Sequence, residues 1–267
     1  MIRVTILGCG SSGGVPRIGQ NWGACDPANP KNRRRRCSVL IERIGTGGRT
    51  RVLVDTGPDM VPQLLDTDVV TLDAVIWTHP HADHVHGIDD LRQLAYNARA
   101  RVPGYADAGT TAQLRARFNY IFETPPGSNY PPIVDLHPFD GPIAIEGAGG
   151  AIAITPFTVP HGEIPSLGLR IATKGGGIVY LPDVQDIPDA VWPVIGQPEI
   201  FICDALRHDP HPSHAHLALT LDWLARSGTP RGVLTNMHID LDYAATDAET
   251  PANVTPAHDG MVLEAKA

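Results

Sequence analysis

Between Thr78 and Gly87 the chain reads THPHADHVHG, four histidines and an aspartate within ten residues. Imidazole and carboxylate groups suit Zn, Mn or Fe, and no thiolate stands nearby to favour copper or an iron–sulfur cluster. Pro80 holds His79 extended, and residues two apart in an extended segment point the same way, so His79 and His81 can grip one ion. Asp83 and His84 come where the chain turns into a helix, rotated away from that pair and able to serve a second ion. A single loop histidine is ordinarily just surface; the combination HxHxDH between a buried strand and a helix argues for metal.

A dinuclear site needs more ligands than one loop carries. His161 follows ITPFTVP, Asp183 follows GIVYLP and His238 follows GVLTNM. Each polar residue ends an apolar strand that has no structural need of it.

These groups must be held by a scaffold. Short runs rich in Val, Ile and Leu predict strands over Arg3–Leu7, Ser38–Glu42, Arg51–Val54, Ala74–Trp77, Ile152–Val159, Gly168–Thr173, Ile178–Leu181, Ile200–Cys203 and Gly232–Leu234. Helical spacing predicts helices over Asp59–Leu65, His84–Asn97, Thr110–Phe122, Ala190–Ile195 and His216–Ser227. So many strands with so few helices fit two packed sheets covered by helices better than one doubly wound sheet. The Pro- and Gly-rich stretch from Thr124 to Pro142 reads as a loop excursion, and residues 1–267 as one domain.

Composition narrows the setting. A net charge of −8 argues against a protein that coats nucleic acid, which needs a basic surface. No apolar run approaches the roughly 20 residues that span a bilayer, and a cytoplasmic protein without membrane partners is expected. Cys9, Cys25, Cys37 and Cys203 form no CxxC pair, and Cys9 and Cys203 flank apolar runs as buried thiols.

HxHxDH at His79 to His84, followed by His161, Asp183 and His238, resembles the metallo-β-lactamase superfamily. GCGSSGGVPRIG, HVHGIDDLR, CDALRHDPHPSHAHLAL and LTNMHIDLD resemble its phosphodiesterase branch, which includes the phosphoribosyl cyclic phosphodiesterase of the carbon–phosphorus lyase pathway and the nuclease that trims transfer RNA 3′ ends. The resemblance implies an α+β fold, a four-layer αββα sandwich, with two divalent metal ions, Zn or Mn, at one edge. His79, His81 and His161 would hold one ion, Asp83, His84 and His238 the other, and Asp183 would bridge them. His214, ahead of the helix LALTLDWLA, would be the general acid, completing a catalytic set with Asp83 and Asp183. His211 and His216 are weaker candidates for a direct role.

The implied reaction is attack of a metal-bridging hydroxide on the phosphorus of a small cyclic phosphate, a nucleotide or a nucleic acid end. Two cations neutralise the anionic ester and make hydroxide available near neutral pH, while a histidine of ordinary pKa about 6.5 can protonate the leaving alkoxide. Around the metals, the glycine turn GCGSSGGVP with Ser11, Ser12 and Arg17 could receive a phosphate, although such a turn is more often plain connection. It lacks the lysine of a P-loop and the spacing of a dinucleotide fingerprint. Asp55 could orient a ligand histidine or cap a turn, and His86 could support a ligand or pack in the core. The run KNRRRR from Lys31 to Arg36 is either a solvated loop or an electropositive rim. NWGACDPANP keeps only Cys25 where the carbon–phosphorus lyase enzyme has a cysteine-rich zinc site, so no structural zinc is expected there.

Thioester or lactam hydrolysis would use the same ligands but has no special use for His214. A redox di-iron centre would replace a motif histidine by a carboxylate. A non-catalytic, metal-loaded phosphate-binding module, and assembly as a homodimer, remain compatible with the sequence.

Overall fold

The computed structural model describes residues 1–267. A first sheet is built from β1 (Ile2–Gly8), β2 (Ser38–Gly45), β3 (Gly48–Val54), β4 (Ala74–Ile76), β5 (Val102–Ala106) and β6 (Val134–Pro138), with β14 (Val262–Ala265) from the far end of the chain beside β1. A second sheet holds β7 (Ile143–Ile145), β8 (Ile152–His161), β9 (Ile164–Ile171), β10 (Ile178–Leu181), β11 (Ile200–Asp204), β12 (Gly232–Thr235) and β13 (Val254–Pro256), in the order β13-β12-β11-β10-β9-β8-β7. The helices are α1 (Met60–Leu65), α2 (Ala82–Val85), α3 (Leu91–Ala98), α4 (Ala108–Phe122), α5 (Trp192–Ile195), α6 (Leu217–Ser227) and α7 (Tyr243–Glu249). The α+β sandwich expected from the sequence is the architecture found.

Strand side chains alternate between faces, and the two faces of the first sheet are apolar for different reasons. Val4, Ile6, Val39, Ile41, Val52 and Val54 point inward and join residues of the second sheet in one core. Leu7, Leu40, Leu53, Val75 and Trp77 point outward and pack with residues of α1, α3 and α4. Over β14, β1, β2 and β3 the same outward face also carries charge: Glu264, Arg3, Glu42 and Arg51 stand side by side in register. Arg3 pairs with Glu264 at 2.8 Å, and Arg49 and Arg51 each reach Glu42 at 3.2 Å.

Three expectations need correction. The Thr124–Pro142 stretch is not all loop, because Val134–Pro138 forms β6, paired in parallel with β5. The strand expected at Gly168–Thr173 starts earlier, at Ile164, and runs to Ile171 as half of a hairpin. The helix expected over His84–Asn97 begins at Ala82, so Asp83 and His84 lie in its first turn, and it breaks after Val85. The break follows from packing: a Cβ on Gly87 would sit 2.2 Å from the Gly57 carbonyl oxygen, and the Gly87 amide is bonded to the Thr56 carbonyl at 2.7 Å. The chain resumes as a short 3-10 turn, Ile88–Asp90, before α3.

The topology gathers the candidate residues at one edge. β10, β11 and β12 are mutually parallel, as are β3 and β4, so their carboxyl ends open together. Asp55 follows β3, His79 and His81 follow β4, Asp183 follows β10, Asp204 ends β11, and Asn236 and His238 follow β12. His161 arrives by another route, as the last residue of β8, where the turn Gly162–Glu163 joins it to Ile164 of β9. Gly162 has φ +60°, a conformation costly for any residue with a Cβ.

Candidate metal centre and active site

The His79 Nε2 and His161 Nε2 atoms each lie 3.1 Å from His81 Nδ1, and the three nitrogens converge as one set. Their far sides explain why lone pairs face inward. Thr78 gives its hydroxyl proton to Asp55 Oδ2 at 2.8 Å, so its oxygen accepts from His79 Nδ1 at 3.0 Å. His161 Nδ1 donates to the Ser213 carbonyl at 2.7 Å. Both Nε2 atoms are then unprotonated. Burial also pushes the pKa of His79, His81 and His161 down, which keeps them neutral. A tetrahedral ion about 2.05 Å from each nitrogen would separate the nitrogens by about 3.3 Å, close to what is found.

A second set lies beside it, formed by His79, His84 and Asp183. His84 Nδ1 donates to Asp55 Oδ2 at 2.7 Å, leaving Nε2 3.1 Å from Asp183 Oδ2 and 3.4 Å from Asp83 Oδ2. His84 Nε2 and Asp183 Oδ2 are buried without a hydrogen-bond partner, although they face one another. Unpartnered buried polar atoms are costly, and a cation among them would satisfy both. Burial opposes ionisation of Asp183 and Asp83, yet the neighbouring His84 holds both carboxyls below their usual range. The donor set therefore fits divalent metal.

Asp55 is fully buried, and its backbone adopts φ +65°, which is uncommon for a residue with a side chain. It accepts from the Thr78 amide at 2.8 Å as well as from Thr78 Oγ1 and His84 Nδ1. Of the contacts its two candidate roles call for, it makes the one to a histidine, His84. Such supporting carboxylates commonly carry 10- to 100-fold in metal affinity, so Asp55→Asn is expected to weaken Zn binding by about that factor. Competition against a chelator measures it, and affinity equal to wild type would refute the role.

His214 lies against His161, with Nδ1 2.9 Å from Asp204 Oδ2 and 3.6 Å from Asp183 Oδ1. Burial lowers its pKa, but the Asp204 carboxylate, with Asp183 and Asp83, outweighs this and raises it to about 9. Although His161, Asp183 and His214 also form a potential trio, the bond to Asp204 already occupies His214 Nδ1. Asn236, held at φ +59°, donates to Asp204 Oδ1 at 3.1 Å and Asp183 Oδ1 at 3.3 Å. Sequence reasoning missed Asp204 and Asn236, although both carry the signal that found Asp183, a polar residue closing an apolar strand.

These groups open into a cavity of about 410 Å³ lined by Ser11, Ser12, Arg17, Arg207, His211 and the site residues His81, Asp83, Asp183, His214 and His238. The Ser11 hydroxyl is buried and unpartnered. The Asp259 carboxylate fastens the turn that carries Ser11, accepting from the Cys9 amide at 3.2 Å and from the Arg35 amide at 2.8 Å. His238 lines the cavity without joining the ligand trios. Its Nδ1 bonds Asp240 Oδ2 at 2.7 Å and its Nε2 accepts from Arg17, so the lone pair that a metal would use faces a guanidinium. Burial and Arg17 lower its pKa, keeping the ring neutral.

Other candidates fall outside. His86 is exposed, with its ring 5.8 Å from that of Phe118 and no ligand histidine in reach, which answers neither expectation for it. His216 precedes α6 as its N-cap residue and does not line the cavity. The Lys31–Arg36 run is not a free rim: Arg34 is buried and donates to the His238 carbonyl at 3.3 Å, while Arg35 and Arg36 pair with Asp66 and Asp59 at 2.6 and 2.9 Å. Cys25 is buried with Val15 and Ile239. No helix is long and apolar enough to cross a membrane.

Residues 50–239 match the β-lactamase superfamily domain. A crystal structure of a new diphosphatase from the PhnP family superposes with a TM-score of 0.86 at 34% identity, covering 99% of this chain and 98% of that one. Zn(II)-bound PqqB from Methylobacterium extorquens superposes with a TM-score of 0.74 at 19% identity over 98% of this chain and 99% of that one, a likeness of fold. An octanoyltransferase of Porphyromonas gingivalis strain W83 is 30% identical over 265 residues, 97% of this chain, and the chain spans about half (51%) of that relative's length. A matched family domain over most of the chain, the two-sheet sandwich and the histidine–aspartate cluster at its edge agree: the chain belongs to the β-lactamase superfamily, among its metallo-β-lactamase-fold hydrolases.

Proposed function

We propose that this hydrolase is a dinuclear metal phosphodiesterase acting on a small phosphodiester, such as a cyclic phosphate or a nucleotide, or on a nucleic acid end. The observation that carries the reading is His214, kept protonated by buried Asp204 inside a cavity that also presents Arg17 and Arg207. His79, His81 and His161 would hold one ion and Asp83, His84 and His238 the other, with Asp183 between them. Two ions, Zn or Mn, would supply Lewis acidity toward the phosphate oxygens and a lowered pKa for water.

The chain's own residues do the rest. Asp55 fixes the tautomer of His84 directly, and that of His79 through Thr78. His238 Nε2 would be the atom offered to a metal, and Arg17, which otherwise donates to it, would then be free to meet the anionic substrate, with Ser11 and Ser12 as neighbouring hydroxyls. His214 gives its Nε2 proton to the leaving oxygen and becomes neutral, while Asp204 favours the charged ring beforehand and keeps Nδ1 protonated afterwards.

A PhnP-family diphosphatase as a full-length relative supports phosphorus as the centre attacked. Acyl transfer, suggested by the name of the half-matched relative, finds less support: all four cysteines are buried, and a thiolate leaving group has little use for the proton on His214. The test is a panel of bis(p-nitrophenyl) phosphate, a nucleoside cyclic phosphate, a diphosphate ester and an acyl thioester, offered to Zn- and Mn-loaded protein. Turnover of a phosphodiester is expected; turnover of the thioester alone would overturn the reading.

A further inference from the structure

We propose that Arg117, on α4, is a positioning residue for the trio His79, His81 and His161, acting through the Pro80 carbonyl. The inference rests on the metal-holding part of the proposed function and on a contact outside the cavity. Pro80 separates two of the trio's members, and Arg117 Nη1 donates to its carbonyl at 2.6 Å. Nearby carbonyls are held by main-chain amides: Thr78 accepts from the Leu167 amide and His81 from the His84 amide, both at 3.0 Å. The Pro80 carbonyl is held by a side chain from a different helix. Its peptide plane leads directly into His81, so turning that plane swings His81 Nδ1, the atom that sits 3.1 Å from both other nitrogens.

The helix is shaped for this contact. Consecutive side chains on a regular helix diverge by about 100°, so two neighbours rarely address one segment. At Phe118 the backbone leaves helical geometry, with φ −131° and ψ 34°. Across that break Arg117 reaches Pro80 while Phe118 sets its ring edge-on to His86 at 5.8 Å. Tyr120 then donates to Asp89 at 2.5 Å, a third tie from the same turn to the segment from Pro80 to Asp89. Gln113 Oε1 accepts from Arg117 Nη2 at 3.1 Å and steadies the guanidinium. A charged donor on a carbonyl makes a stronger bond than a neutral pair.

The experiment reads the metal and not the reaction. Zn affinity is measured by chelator competition, and the visible spectrum of Co(II)-substituted protein reports ligand geometry. Arg117→Ala is expected to weaken the tighter Zn equivalent about tenfold or more and to alter the cobalt bands, with the melting temperature of metal-free protein unchanged. Arg117→Lys can still donate to the carbonyl and recovers most of the loss. Unchanged affinity and spectrum in Arg117→Ala would overturn the inference, as would equal losses in both variants or a loss matched by a fall in metal-free melting temperature. Neither readout uses a substrate. Wild-type protein that binds two ions yet cleaves no phosphodiester would therefore sink the proposed function and leave this inference standing.

Discussion

Asp183→Ala is expected to lower phosphodiester hydrolysis by about three orders of magnitude or more, equivalent to about 4 kcal/mol of transition-state stabilisation. The carboxylate belongs to the second set and borders the first, with Oδ2 3.1 Å from His84 Nε2 and Oδ1 3.8 Å from His161 Nε2. Removing it would take a ligand from both proposed ions, and it withdraws the carboxylate that, against the cost of burial, does most to raise the pKa of His84, so that pKa falls. Metal content should fall from two ions per chain toward one or none, measured by elemental analysis on gel-filtered protein. The carboxamide of Asp183→Asn has the same size but is a far weaker ligand, and it should lose nearly as much. Activity in either variant within tenfold of wild type would show that the two sets do not act as one dinuclear centre.

His214→Ala should cost a factor of about 10² to 10⁴ in kcat toward phosphodiesters with alkoxide leaving groups, the range for a positioned general acid. It should cost far less with p-nitrophenolate, which departs without a proton. The pH dependence has a definite sign. The folded-state pKa of about 9 lies above the ordinary value of about 6.5, so the proton is in place at neutral pH and is lost as pH rises through the folded value. In wild type kcat therefore falls on the alkaline side. Cations on Asp183 and Asp83 weaken the pull of those carboxylates, leaving Asp204 as the main support, so the limb sits at or below about 9. Asp204→Asn should move it down toward the ordinary histidine value. An alkaline limb unchanged in His214→Ala, with alkyl and aryl esters equally affected, would remove His214 from the role of acid.

Much of this arrangement was legible because the scaffold is written in strands whose apolar runs end abruptly in polar residues. YLPD and TNMH read as strand termini, and parallel pairing turns a list of termini into a site; CD ends its strand the same way, yet sequence reasoning missed Asp204. The illegible parts have local causes. β5 reads VPGYA, where proline and glycine mask a strand whose neighbours supply its order; Gly104 packs so close to Trp77 and Val134 that a Cβ would clash. β6 was hidden in a proline-rich stretch for the same reason. The helix after the metal loop keeps its apolar spacing straight through Gly87, and only the close approach of Gly57 breaks it. The basic run looked free because sequence shows its charge but not the acids that meet it. Arg17 and His238 illustrate the limit most directly, since a guanidinium 221 positions away in the chain occupies the nitrogen lone pair that a metal would use.

The fastening of the glycine turn by Asp259 bears on how the molecule assembles. The Cys9 amide waits for a carboxylate 250 residues downstream, and β1 completes its pairing only when β14 arrives at its other edge. Closing such distant contacts is slow, because loop-closure entropy must be met before the contacts stabilise anything. The β2–β3 and β8–β9 hairpins can order from local pairings, whereas the Asp259 contacts that fasten the turn carrying Ser11 must close across almost the whole chain. The cavity wall at Ser11 thus depends on the most distant contacts in the chain, whereas His79, His81 and His84 sit together on one short segment.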